Sequence, residues 1–235
     1  MKSVTQKLPD RFRLAGLQWD IQRGDAAANL QSAARLLARA SASGAAMAIM
    51  PEMWSVGFAG SELHREADHL NERLVFLAEM ARTHHLWIAA GSLPEVASGK
   101  KVFNTLFLFD PAGTIRFSYR KIHLFPNSSE PKYFQSGYAL PEPVKTGKWV
   151  IGAGICYDLR MPELFRVQAR QGVNLFLVPT QFPDPRLDHF HLFCRARAIE
   201  NLAWLAGINR ILFDGTLSYS GGSAVFGPFG EVIAT

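Results

Sequence analysis

Cysteine is scarce: two residues in 235, Cys156 and Cys194, are too few for a disulfide framework, and both are read as reduced thiols. Long apolar runs are missing too. No stretch reaches the roughly 18 uninterrupted apolar residues of a membrane helix, and the opening MKSVTQKLPDRFRLAG lacks the apolar segment of a signal peptide. The expectation is a cytoplasmic protein without a membrane partner. Linkers, repeats and low-complexity tracts are also lacking, so 1–235 reads as one domain. The net charge is +5, yet Lys and Arg are scattered apart from short clusters such as Arg195 and Arg197. That pattern gives nucleic acid no basic stripe to bind.

With 48% hydrophobic residues, the chain can bury a substantial core. Apolar runs alternate with amphipathic stretches, which indicates α/β layering. Strands are expected at 12–19, 45–50, 86–92, 149–155, 173–179 and 202–208, and helices at 25–43, 61–84, 162–171 and 187–201. Asp25 suits an N-cap, Pro162 a helix start and Gly172 a helix end. VFNTLFLF and TIRFSYR flank the turn Asp110–Gly113 and read as a hairpin, and the tail GGSAVFGPFGEVIAT reads as another.

Glu52, Lys121, Cys156, Thr180 and Asn209 all fall just beyond expected strand ends. Ligands of open α/β sheets bind there, so residues distant in sequence can converge on one pocket. Cys156 follows Gly152 and Gly154 and precedes Asp158 and Arg160. A nucleophilic thiol needs a nearby cation or base, roles open to Lys121 and Glu52. Each has a plainer competing reading: a buried thiol for Cys156, a buried ion pair for Glu52, an exposed strand-end lysine for Lys121.

The histidines offer rivals. Gly154–Asp158 matches the first half of a nucleophile elbow with Cys for Ser, so a Cys–His–Asp triad through His189 or His191 stays open, although Asp158 replaces the closing glycine. His189, His191 and Cys194 are zinc-competent types, but the two histidines point to different faces of a helix, and Cys194 suits a small core residue. Asn127-Ser128-Ser129 forms a glycosylation acceptor, irrelevant without secretion.

Three stretches in order, MPEMWSVGF around Glu52, RKIHLF around Lys121 and GICYDLRMPELFR around Cys156, resemble the nitrilase, or carbon–nitrogen hydrolase, superfamily. VPTQFP, RARAIEN, INR and GGS extend the likeness from about residue 12 to the last, closest to the amidase branch that contains omega-amidases. The resemblance implies a four-layer αββα sandwich and a Glu–Lys–Cys set working without metal or organic cofactor. Glu52 would be general base and then acid, Lys121 the cationic oxyanion stabiliser and Cys156 the nucleophile. Tyr157 would lend its backbone N–H to the oxyanion, and Glu130 would orient Lys121 or the substrate.

The implied partner is a small-molecule amide, foremost the omega-amide of a short dicarboxylate such as 2-oxoglutaramate. N-carbamoyl amino acids, nitriles and deaminated glutathione remain alternatives, as does a silent binding or assembly module. Trp54, Phe58, Thr180 and Phe182 are expected to shape the pocket. Arg160 and Arg195 are candidate contacts for a free carboxylate, against ordinary solvated or structural roles. Met161 and Leu202 depart from the branch pattern, where Phe and the Gln of ENQ are usual. The chain stops at Thr235, where the family adds a strand and a C-terminal arm that often joins a dimer, so a homodimer is left open.

Overall fold

Two apolar faces on one short strand set the layering. In β2 (Met47–Ile49), Met47 and Ile49 point into one core, while Ala48, with Met50 just beyond, points into a second on the opposite side. The computed structural model describes residues 7–97, 99 and 101–235. β2 is flanked in parallel by β1 (Leu14–Gly16) and β3 (Trp87–Ala89). β3 and β4 (Leu93–Val96) pair antiparallel with opposite ends of β5 (Val102–Phe109), and β6 (Ile115–Arg120) completes the hairpin with β5.

A second sheet contains β7 (Val144–Thr146), β8 (Trp149–Ala153), β9 (Leu175–Pro179) and β10 (Trp204–Ile208). A small hairpin of β11 (Ile211–Phe213) and β12 (Ser218–Ser220) follows, and β13 (Ala224–Phe226) and β14 (Val232–Ala234) then close the second sheet in the order β14-β13-β10-β9-β8-β7.

The sheets face one another across Met47, Ile49, Leu106 and Leu108 on one side and Ile151, Ala153, Leu175 and Leu177 on the other. Outside the first sheet, α1 (Ala26–Ala42) buries Ala33, Leu37 and Ala40. Two further helices, α2 (Glu62–Asp68) and α3 (Leu70–His84), follow, and α3 adds Leu77 and Ala81. A one-turn helix, α4 (Glu130–Tyr133), leads toward the second sheet, which is covered by α5 (Pro162–Arg170) and α6 (Leu187–Asn201). The result is the expected αββα sandwich. Asp25 caps α1 by accepting the Ala28 amide at 3.0 Å, and Gly172 follows α5 with a positive φ. Among the described residues no helix is long and apolar enough to cross a membrane.

The single helix expected at 61–84 is two helices that break at His69. The cause is divided packing: Leu63 and Ala67 belong to a small cluster with Phe134, whereas Leu77 and Ala81 belong to the core beneath α1. Arg73 straps the break, meeting buried Glu66 through two bonds of 2.8 and 3.0 Å. Strands β4, β7, β11 and β12 lie outside the sequence expectations, all being three or four residues long. The five polar residues expected at strand ends stand there, all but Cys156 fully buried.

Candidate active site

Glu52 is placed by a strained loop. It follows Pro51 beyond β2 and precedes Met53, which takes φ +46°. The loop can lie this low because residue 91 is glycine: at φ +56°, a Cβ there would sit 1.9 Å from the Pro51 carbonyl oxygen. Ser92 holds the same loop, its Oγ accepting the Met53 amide at 2.9 Å. Lys121 enters from the end of β6, where its N–H donates to the Asn104 carbonyl at 2.8 Å. Cys156, beyond β8, begins a 3-10 turn (Cys156–Arg160) with φ +46°, a conformation costly for a side chain bearing a Cβ.

Asp158 fixes that turn. Its carboxylate accepts the Ile155 N–H at 2.9 Å and the Tyr119 hydroxyl at 2.7 Å through one oxygen. Through the other it accepts the His123 N–H at 3.1 Å and contacts the His123 ring at 2.8 Å. The cysteine turn and the lysine strand are therefore bound to a single buried anion.

Lys121 Nζ donates to Glu52 Oε1 at 2.9 Å and to Glu130 Oε1 at 2.8 Å, with all three side chains buried. Asn104 Nδ2 adds a 2.9 Å bond to Glu52 Oε1, and the Gln181 N–H donates to Oε2 at 3.1 Å. Gln181 Nε2 also holds the Glu52 carbonyl at 2.7 Å. Burial opposes the charge of Lys121, but Glu130 and Glu52 outweigh it and hold its pKa well above the ordinary lysine value. Burial raises Glu130 against the pull of Lys121. Burial, then the charge of Glu52, pushes the Cys156 thiol well above the usual range despite Lys121. The resting thiol thus keeps its proton, and a thiol in this state would need a base to act as a nucleophile.

A cavity of about 510 Å³ opens over this cluster. Glu52, Glu130, Cys156, Tyr157, Phe58, Arg160 and Phe182 line it, so most of the residues singled out in the sequence meet there. Trp54 does not: its ring packs beside Trp19 in the core and its Nε1 donates to the Ala90 carbonyl at 2.8 Å. Thr180 is also outside the lining, its hydroxyl turned to the Ile208 carbonyl at 3.1 Å. Arg195 is exposed on α6, beside Gly230 and away from the cavity.

His191 contacts the Gly222 carbonyl and His189 the Arg160 guanidinium, so neither forms a triad with Cys156, and Cys194 is buried in the core. Among the described residues no group of three or more His, Cys, Asp or Glu side chains is arranged to hold a metal ion. Two residues that hold Glu52 were not foreseen, Asn104 and Gln181. The signal for Asn104 was a lone amide in the largely apolar run VFNTLFLF. The cavity wall formed by Arg23, Arg186, Asp214 and Tyr219 was not foreseen either.

The family model described as carbon–nitrogen hydrolase matches residues 13–235. A hydrolase in the agr operon of Staphylococcus lugdunensis is 38% identical over 187 residues, 79% of this chain and 80% of that protein. The 2-oxoglutaramate amidase of Bacillus subtilis strain 168 is 31% identical over 229 residues, 95% of this chain and 86% of its own length. Among solved structures, a mutant amidase from Nesterenkonia sp. AN1, with acrylamide joined by Michael addition to its active-site cysteine, is similar at a TM-score of 0.88. It is 29% identical, with 95% of this chain and 88% of that one covered.

Proposed function

The chain belongs to the carbon–nitrogen hydrolase family and is a hydrolase of non-peptide carbon–nitrogen bonds; from that premise we propose that it cleaves the terminal amide of a short dicarboxylate, such as 2-oxoglutaramate, through a thioester on Cys156. The observation that carries this reading is the buried Lys121, shared by Glu52 and Glu130 beneath the cavity onto which Cys156 opens.

Cys156 Sγ attacks the amide carbon while Glu52 takes the thiol proton. The new C–S bond leaves a negative charge on the former carbonyl oxygen. Lys121 has three N–H donors, two of which serve Glu52 and Glu130, and the third is available to this oxyanion. The Tyr157 N–H, in the first turn of the 3-10 segment where donors have no partner within the turn, supplies a second. Glu52 returns its proton to nitrogen as the C–N bond breaks and ammonia leaves. Water then loses a proton to Glu52 and attacks the thioester, and the C–S bond breaks as the thiol is re-formed. Glu52 suits both proton transfers because Lys121 and Asn104 occupy Oε1 and Oε2 accepts only the Gln181 N–H among the described residues.

The likeness to a 2-oxoglutaramate amidase over 95% of this chain supports the substrate class, as does the arginine-bearing wall of the cavity. The test is ammonia release from dicarboxylic acid monoamides, an N-carbamoyl amino acid and a nitrile, with Cys156→Ala as control. Release confined to the monoamides and abolished in the variant is expected. Release from the carbamoyl compound or the nitrile alone would reject the substrate assignment, and undiminished release by the variant would reject Cys156 as nucleophile.

A further inference from the structure

We propose that Arg186 receives the free carboxylate of the substrate and so sets the preference for dicarboxylate monoamides over uncharged amides. The inference rests on the amidase reading above and adds a specificity-determining residue to it. Three arginines line the cavity, Arg23, Arg160 and Arg186, and their surroundings differ.

Arg160 is already engaged. Its guanidinium contacts His189 Nδ1 at 3.2 Å and lies against two rings, 4.9 Å from the centre of Phe193 and 5.6 Å from that of Tyr157. Arg23 is exposed and donates to the Thr216 hydroxyl at 3.2 Å. Arg186 is half-buried, and among the described residues its guanidinium has neither a hydrogen bond nor an ion pair. It lies over the ring of Phe125, whose centre is 4.8 Å away. A guanidinium held over a ring by a cation–π contact and without a hydrogen bond of its own keeps its N–H donors for a carboxylate, which arginine can bind through two parallel bonds.

Position supports the assignment. The Phe125 ring that carries Arg186 lies 5.1 Å, centre to centre, from the ring of Tyr157, the residue next to the nucleophile. Tyr157, next to Cys156, and Arg186 are thus linked along the lining of one cavity by two aromatic contacts, so a diacid bound at Cys156 shares that cavity with Arg186. The opposite end repels a free carboxylate, because Glu52 and Glu130 share one ammonium there. Asp214 also lines the cavity, but its oxygens are held by the amides of Thr216 and Leu217 at 2.8 Å each and by the Tyr219 hydroxyl at 3.2 Å.

The experiment compares kcat/KM for glutaric acid monoamide with that for butyramide in the wild type, Arg186→Met, Arg186→Lys and Arg160→Met. Methionine keeps the packing on Phe125 and removes the charge and donors. The monoamide-to-butyramide ratio is expected to fall about 10- to 100-fold in Arg186→Met through a higher KM, as loss of hydrogen bonds to a charged group implies. Arg186→Lys should fall between, since lysine keeps the charge without the fork. An unchanged ratio in Arg186→Met, or a selective loss in Arg160→Met instead, overturns the proposal.

A binding readout separates this failure from failure of the amidase reading. Glutarate should slow alkylation of Cys156 by iodoacetamide in the wild type and lose that protection in Arg186→Met. If neither amide is cleaved, the amidase reading fails, and protection by glutarate still decides whether Arg186 holds a carboxylate. Wild-type protection that survives in Arg186→Met, or no protection at all, overturns the assignment.

Discussion

Replacing Lys121 with methionine removes the one cation that two buried carboxylates share. Glu52 and Glu130 lie 2.9 and 2.8 Å from its nitrogen, and neither has another cationic partner among the described residues. Breaking a buried ion pair by deleting one partner costs about 3–5 kcal/mol, because the remaining charge stays buried without compensation. For a chain of this size each kcal/mol lowers the melting temperature by about 2–4 °C, so a drop of about 6–20 °C is expected near neutral pH.

The deficit depends on pH. Burial already raises Glu130, and Lys121 is the group that pulls it down. Without the lysine its folded pKa rises further above the unfolded value. An acid raised in this way contributes stability below the ordinary carboxylate range and loses it as pH rises through the folded pKa. The Lys121→Met protein should therefore approach wild-type stability in mild acid and fall away toward neutrality. Adding Glu130→Gln should recover part of the loss at neutral pH. Thermal denaturation of the wild type, the single and the double variant at acidic and neutral pH measures this. A single variant that melts with the wild type at neutral pH, or shows no pH dependence of the difference, would refute the shared-cation account.

Asp158→Asn turns one end of the anion into a donor facing donors, whichever way the amide lies. It should cost about 3–6 kcal/mol for two lost bonds to a charged acceptor, and lower kcat by loosening the cysteine turn, checked by denaturation and steady-state kinetics. Iodoacetamide should label native Cys156 at a rate still climbing above pH 9, since burial and Glu52 hold its pKa up, while buried Cys194 stays unlabelled; a plateau reached below pH 7 would mean a preformed thiolate. Gly91→Ala forces a Cβ onto the Pro51 carbonyl oxygen at a positive φ, so melting temperature and kcat should fall together, and an unaffected protein would show that the Glu52 loop is not braced there.

The elements most legible in the sequence carry their own punctuation. Leu187–Asn201 is found at the expected limits, and the turn Asp110–Gly113 joins two strands as read, because caps and turn residues act locally. The break at His69 was hidden because it comes from two cores pulling on one amphipathic stretch. β7 was missed because Val-Lys-Thr, with Lys145 exposed between Val144 and Thr146, lacks the apolar run that marks the equally short β2 and β3. In the site, Glu52, Lys121 and Cys156 stood out as reactive types at strand ends, each within a recognisable stretch.

Their supports were harder to see. Gln181 acts through its backbone N–H as well as its side chain, and a backbone donor has no residue-type signature. Trp54 looked like a pocket residue from its nearness to Glu52, but Glu52 faces the cavity while the Trp54 ring turns into the core behind it. Arg186 lies in a proline-punctuated turn ahead of α6, and only the tertiary contact with Phe125 distinguishes it from any surface arginine.

The thioester on Cys156 is the central claim, and acid-quenched turnover followed by peptide mass spectrometry tests it most directly. With a dicarboxylic acid monoamide in excess, the peptide containing Cys156 should gain the mass of the acyl group, and Cys156→Ala should release no ammonia. Steady turnover without such an adduct, together with continued ammonia release by Cys156→Ala, would contradict the account.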